Sequence, residues 1–280
     1  MTALIATDLD RTMIYSRAAM GEAQFAAIDP VCVEIYNSAP LSYMARSATE
    51  QLAELAQRAI VVPTTTRTPP QFHRITLPGS PFQFSVTSNG GAILVDGLRD
   101  RQWDSHIRSA SAASGASLDG IVTVLHQRTA GAPWVRSLRV ADDLFCYLVV
   151  EPESQPTEFL PEWQQYCAVL GWNASQQGRK IYSMPSSITK SAAVAEVRRR
   201  LVDTGALATD ARLLAAGDGW LDSDLLLAAD AAIRPRHGEL ESLDWHADNL
   251  TVTRSSGALA GPEILQWMSA QLAACGTSRA

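Results

Sequence analysis

A chain of 280 residues, 46% of them hydrophobic, is globular and long enough for more than one domain. Its formal net charge of −6 and its lack of a basic block give no electrostatic basis for binding nucleic acid. The densest basic run, Arg198-Arg199-Arg200, reads as the C-terminal end of a helix, where cations suit the dipole. No apolar run is long enough to span a bilayer, so no membrane partner is expected. No basic region precedes an apolar stretch at the N-terminus, so no signal peptide is expected. Cys32, Cys146, Cys167 and Cys275 form no metal-ligand pattern and are expected as reduced thiols in a cytoplasmic protein. The five histidines do not cluster either, which argues against a zinc site or a His-based dyad.

In chain order, Ala3-Leu4-Ile5-Ala6-Thr7 predicts a buried strand. Asp8-Leu9-Asp10-Arg11-Thr12 follows where that strand ends. Residues 31–36 alternate like a strand, Asn37-Ser38-Ala39-Pro40 turns the chain, and 41–44 returns it as a hairpin. Ser47-x-x-Glu50 has the form of a capping box. It precedes Leu52, Leu55, Ala56 and Ala59, which share one helical face. A strand at 60–63 leads into Thr64-Thr65-Thr66-Arg67, and Pro69-Pro70 permits a new helix start. Phe84-Ser85-Val86-Thr87 is a third strand, ending at Ser88-Asn89-Gly90-Gly91. This β-α-β-α-β alternation predicts a parallel sheet with flanking helices.

The pattern changes after about residue 95. Asp96-Gly97 reads as a hairpin turn. A helix over 104–115, strands over 134–140 and 144–150, a helix over 157–169 and a strand over 179–184 follow. These predict a small α+β insertion. Alternation then resumes. Thr189 caps a helix carrying Ala193, Val194, Val197 and Leu201. A strand at 211–216 runs into Gly217-Asp218-Gly219-Trp220-Leu221-Asp222, then a helix through 225–227 and a strand at 231–233. Gly261-Pro262 opens a last helix with Ile264, Trp267, Met268 and Leu272 on one face. The expected fold is α/β: a Rossmann-like parallel-sheet core, 1–95 with 180–280, and a smaller inserted α+β domain, 96–179.

Ligands of open parallel sheets bind beyond the carboxyl ends of the strands. A carboxylate pair there can hold a hard cation and present an oxygen nucleophile. Taken alone, Asp8-Leu9-Asp10 is equally a turn, Asp218-Gly219 a turn and Asp222 a helix cap. Their order narrows the reading: Asp-x-Asp-x-Thr after the first strand, a strand ending in Thr, a Lys opening a helix, then Gly-Asp-x-x-x-Asp. This order resembles the haloacid dehalogenase superfamily of phosphohydrolases. The insertion looks like the cap of its Cof-type and sucrose-phosphate-phosphatase-like branches, and Asn89-Gly90-Gly91 resembles the element that precedes that cap.

The resemblance implies a Mg²⁺-dependent phosphatase acting on a small soluble phosphate monoester, such as a sugar phosphate, through an aspartyl phosphate. Asp8 would be the nucleophile. Asp10, two residues on and on the same side of an extended segment, would protonate the leaving alcohol and then activate water. The Mg²⁺ ligands would be the Asp8 side chain, the Asp10 carbonyl and Asp218, with Asp222 binding directly or through water. Thr65 would hydrogen-bond the phosphate and Lys190 would neutralise charge, with Arg67 and Asn89 also on the substrate. Arg67 sets the register on Thr65, so Thr64 and Thr66 read as ordinary strand-end residues. In this superfamily a flap hairpin overhangs the site. In that role Glu34, Tyr36 and Tyr43 either touch substrate or pack the hairpin on itself. Arg11 replaces the usual Gly of the first motif, Thr66 replaces the Gly before Arg67, and Leu221 replaces an Asn of the late loop. A phosphomutase of the phosphomannomutase type and a catalytically silent binding module are the alternatives. Isomerised ester rather than free phosphate would mark the mutase.

Overall fold

The structure is a computed structural model that describes residues 3–277, with side chains described to residue 274, so the thiol of Cys275 lies outside the described part. The chain begins with β1 (Ala3–Thr7), α1 (Arg17–Ala27), the hairpin β2 (Pro30–Tyr36) and β3 (Ala39–Ala45), α2 (Arg46–Arg58) and β4 (Ile60–Pro63). The short α3 (Pro69–Phe72) and strands β5 (Phe84–Thr87), β6 (Ala92–Val95) and β7 (Leu98–Arg99) follow. The middle of the chain holds α4 (Arg101–Ser114), α5 (Leu118–Thr129), β8 (Val135–Ala141), β9 (Phe145–Val150), α6 (Phe159–Val169), β10 (Trp172–Gln177) and β11 (Lys180–Pro185). The last part holds α7 (Lys190–Asp203), β12 (Arg212–Ala216), α8 (Ser223–Ala228), β13 (Ala231–Arg234), α9 (Glu239–Ser242), β14 (Leu250–Val252) and α10 (Ala260–Thr277). Two compact units result. One comprises the chain up to Arg99 and from Lys190 onward, the other Asp100–Thr189.

The first unit is built on a five-stranded sheet in the order β14-β13-β12-β1-β4. Every pair in it is parallel. β1 is buried along its whole length, as expected of a strand covered on both faces. Its register pairs Thr7 with Ala216 on one side and with Pro63 on the other. Asp8, Gly217 and Thr64 therefore leave the sheet side by side at its carboxyl edge. The Asp8 N–H donates to the Ala216 carbonyl at 2.9 Å, and the Thr64 N–H to the Thr7 carbonyl at 2.8 Å. Ile5, Leu52, Leu55, Leu214, Ile264 and Met268 are among the apolar side chains packed in this core.

The second unit is an antiparallel sheet, β10-β11-β9-β8. Its core gathers Ile121, Leu125, Cys146, Leu148, Trp163 and Ile181. Trp163 is wholly buried and satisfies its indole N–H on the Ser183 hydroxyl at 2.8 Å. A parallel core with an additional antiparallel α+β unit is the fold class the sequence led us to expect.

Several local expectations differ. β5 does not join the parallel sheet as a full strand. It pairs antiparallel with β6, and just beyond β4 it makes a parallel bridge between Thr64 and Val86, with the Thr65 N–H donating to the Val86 carbonyl at 2.9 Å. The capping box at Ser47 does not form, because α2 starts two residues earlier, at Arg46. Ala45 sits at the cap position without a side-chain bond, and Ile28 and Asp29 carbonyls satisfy the Arg46 N–H. The strand from Lys180 pairs residue for residue with β10 and also with β9, so a boundary at 179/180 would cut a hairpin. α1, α5, β10 and β14 are additional to the expected elements. Cys32, Cys146 and Cys167 are free thiols.

Candidate active site

Beyond β1 the chain stops being extended. The N–H groups of Thr12, Met13 and Ile14 all donate to the Leu9 carbonyl, and that of Arg11 donates to the Ile14 carbonyl. Around this tight turn the two aspartates find different partners. Asp8 stays buried at the sheet edge, where Thr12 donates its hydroxyl to Asp8 Oδ2 at 3.2 Å. Asp10 turns to Arg67 instead, and the guanidinium grips both of its oxygens, Nε to Oδ2 at 2.7 Å and Nη2 to Oδ1 at 2.8 Å.

The late acidic loop comes back to Asp8. The side chains of Asp8, Asp218 and Asp222 each place an oxygen within 4.8 Å of the others, and all three residues are buried. Among the described residues this is the only such group of His, Cys, Asp or Glu. The Asp222 Oδ2 accepts from the Asp218 and Gly219 N–H groups, which folds the loop around it. The loop closes this tightly because of two glycines. A Cβ on Gly217 would lie 2.4 Å from the Asp222 Cβ. Gly238, at φ +91°, would put one 2.6 Å from the Asp218 carbonyl.

Lys190 opens α7 and is buried. Its ammonium donates to Asp8 Oδ1 at 2.7 Å and to Asp222 Oδ1. Burial alone would lower its pKa, but Asp222 and Asp8 outweigh that and hold it above the ordinary lysine range. Two buried carboxylates share this ammonium, and Asp218 lies beside them. Burial pushes Asp8 up to about 7, with Lys190 opposing and Asp222 adding to the rise. Asp218 is also pushed well above the usual carboxylate range, first by burial and then by Asp8 and Asp222. Arg11 gives partial relief, with Nε 3.7 Å from Asp218 Oδ2 and its side chain 40% exposed.

Arg11 stands at φ +66°, a conformation that costs an L-residue energy. Its carbonyl is held from two sides, by the Tyr15 hydroxyl at 2.7 Å and by His237 Nε2 at 2.8 Å. The Gly257 N–H donates to His237 Nδ1 at 2.9 Å, which fixes the tautomer with the proton on Nε2. His237, to which the sequence assigned no chemistry, thus braces the turn after Asp8. Burial lowers its pKa, in keeping with a neutral ring.

Thr65 is buried and accepts the Arg67 N–H on its hydroxyl oxygen at 3.1 Å. The buried Asn89 sits at φ +59° and donates its N–H to the Thr65 carbonyl at 2.9 Å. The Thr64 hydroxyl is engaged on the Val62 carbonyl of its own strand. Arg67 and Asp10 form an ion pair beside Thr65, while Asp8, Lys190, Asp218 and Asp222 converge on one another. Sequence reading missed the Thr12 bond to Asp8 and the hairpin's part in holding Arg67. The first was signalled by the Thr that closes Asp-x-Asp-x-Thr.

Solved structures share this architecture. The sucrose-phosphatase of Synechocystis, solved with sucrose and phosphate, superposes with a TM-score of 0.63 at 15% identity, covering 96% of this chain and 98% of that one. A sugar phosphatase of subclass IIB of the haloacid dehalogenase superfamily gives 0.58 at 11% identity over 97% and 100% of the two chains. A phosphatase of the same superfamily from Bacteroides thetaiotaomicron gives 0.51 at 13% identity over 97% and 96%. No protein-family model matches the sequence, and a comparison with curated protein sequences finds no match. The likeness is therefore one of fold: the chain has the fold of haloacid dehalogenase superfamily phosphatases.

Proposed function

We propose that this protein is a Mg²⁺-dependent phosphatase that hydrolyses a small phosphate monoester, such as a sugar phosphate, through an aspartyl phosphate on Asp8. One observation carries the reading: Asp8, Asp218 and Asp222 are buried together, with Lys190 bonded to two of them and the partly exposed Arg11 beside the third. Carboxylates taken out of water need counter-charge, and Lys190 with the more distant, partly exposed Arg11 does not balance three. An all-carboxylate donor set without thiolate or imidazole fits a hard cation such as Mg²⁺. Asp8 and Asp218 would hold it, with Asp222 directly or through water and the Asp10 carbonyl in support. When bound, the ion neutralises the carboxylates and draws an anionic phosphate to the sheet edge.

The chain's own residues supply the rest. Lys190 and Thr12 hold one oxygen each of the Asp8 carboxylate and so fix its plane. In the first step Asp8 forms a bond to phosphorus as the ester P–O bond breaks, and Asp10 gives its proton to the leaving oxygen. In the second, water attacks the phosphorus of the aspartyl phosphate and passes its proton to Asp10. The Asp8–phosphorus bond then breaks, releasing phosphate. The Thr65 hydroxyl donates to a phosphate oxygen, with Asn89 shaping the loop behind it. In this reading the unit Asp100–Thr189 is the cap that selects the leaving group. Its place in the chain, ending immediately before Lys190, supports that role. Assay of a panel of phosphate esters with Mg²⁺, scoring free phosphate against isomerised ester, tests the reading. No turnover of any ester would reject it.

A further inference from the structure

We infer that Glu34 of the β2–β3 hairpin is a positioning residue for Asp10, acting through Arg67. This rests on the phosphatase reading, in which Asp10 carries the proton. Glu34 is a carboxylate with 1% exposure on an otherwise half-exposed hairpin. Its Oε1 accepts from Arg67 Nη1 at 2.8 Å. The same guanidinium holds both oxygens of Asp10. A planar fork bonded on three nitrogens has no rotational freedom left. Arg67 therefore fixes the plane of the Asp10 carboxylate, and Glu34 fixes the plane of Arg67.

Glu34 is itself anchored. The Ser42 hydroxyl donates to its Oε2 at 2.6 Å, and Arg74 Nε lies 3.2 Å from Oε1. The backbone explains how a hairpin carboxylate comes to face inward. The register of β2 against β3 shifts on both sides of Glu34, so alternation breaks and Val33 and Glu34 are buried in succession. Bulges of this kind re-aim a side chain and are frequent beside active sites. The Thr76 N–H bonds the Val33 carbonyl at 2.8 Å and holds the bulge in place. At the other end, the Arg67 backbone is pinned by Thr65 Oγ1 and by the Ser88 N–H on its carbonyl. A buried ion pair is weak evidence for stability. A chain of ion pairs that ends on the proposed proton carrier has a positional use.

The experiment compares kcat/KM, which covers only the steps up to departure of the alcohol, for two esters. One is a sugar phosphate, whose alkoxide must be protonated as it leaves. The other is p-nitrophenyl phosphate, whose phenolate needs no proton. Displacement of a reacting group by about 1 Å costs on the order of 10²-fold. Glu34→Ala is therefore expected to lose about 10-fold or more on the sugar phosphate while staying within about 3-fold on p-nitrophenyl phosphate. Glu34→Gln keeps an oxygen for Arg67 Nη1 and is expected to recover part of the loss. Ser42→Ala, a milder change, is expected to show a smaller loss with the same selectivity, and it carries the test if Glu34→Ala does not fold. Equal losses on both esters, or no loss on either, would overturn the positioning role. The sugar phosphate is one that the wild type turns over in the ester panel; no turnover of any ester there is the failure of the phosphatase reading itself, a different result from an active wild type with an indifferent Glu34→Ala.

Discussion

Lys190 Nζ lies 2.7 Å from Asp8 Oδ1, although 182 residues separate the two in sequence. The contact joins the start of α7 to the end of β1, the two ends of the interrupted core unit. It is also insufficient on its own terms, because Asp222 shares the same ammonium and Asp218 stands beside both.

That imbalance sets a pH dependence of stability. In the folded, metal-free protein Asp8 titrates at about 7, against 3.8 when unperturbed. A carboxylate raised in this way contributes stability that is fully present below its unfolded pKa and is lost as pH rises through the folded one. Between these values stability falls as pH rises. Metal-free protein is expected to melt at a lower temperature at pH 8 than at pH 5. Mg²⁺, which replaces the proton, should raise the melting temperature more at pH 8. Equal stabilisation at both pH values, followed by calorimetry, would count against a metal held by this cluster.

Arg11 offers a gain-of-function test. It holds a positive φ and places a cation 3.7 Å from Asp218. Arg11→Gly removes the backbone cost and the competing charge. With that partly exposed cation gone, Mg²⁺ should bind about 2–5-fold more tightly. Titration calorimetry with Mg²⁺ reads the effect; weaker binding in the variant would show that Arg11 helps rather than opposes the ion.

Much of this site was legible in the sequence, and the reason is physical. Buried parallel strands are short apolar runs, and polar residues at their carboxyl ends stand out against them. That exposed Asp8, Asp218 and Thr65, while Lys190 was marked by its place at a helix start. What was not legible depended on backbone detail. The segment after β1 reads as extended, whereas three N–H groups close a turn on the Leu9 carbonyl. Glu34 was left between substrate contact and hairpin packing because alternation cannot register a bulge. β14 is three residues long, too short for any periodicity. α1 carries Gly21 at φ 71° in its middle, which breaks the helical pattern.

Asp10→Asn separates the proton carrier from the nucleophile. General acid help is worth ~10²–10⁴-fold for a poor leaving group. The variant should lose activity in that range on a sugar phosphate and much less in kcat/KM on p-nitrophenyl phosphate. Equal losses would place Asp10 in phosphate binding instead of proton transfer.

The second unit yields a selectivity test. Cys146, Leu148 and Ile181 point into its core, so Tyr147 and Tyr182 stand on the other face of the sheet, each with Lys180 Nζ within 6 Å of its ring centre. If this unit selects the leaving group, Lys180→Ala should change the ranking of esters by kcat/KM and leave the Mg²⁺ requirement as it was. An altered Mg²⁺ half-saturation with an unchanged ranking would contradict that division of labour.

The central claim is that Asp8 attacks phosphorus in a Mg²⁺-dependent hydrolysis. Its most direct measurement is phosphate release from the ester panel at saturating Mg²⁺, by wild-type protein and by Asp8→Asn of matched folded content. Wild type is expected to release phosphate, to stop in excess chelator and to recover when Mg²⁺ is restored. Asp8→Asn is expected to release none above background. Release by Asp8→Asn at near the wild-type rate, or wild-type turnover undiminished by chelator, would contradict the claim.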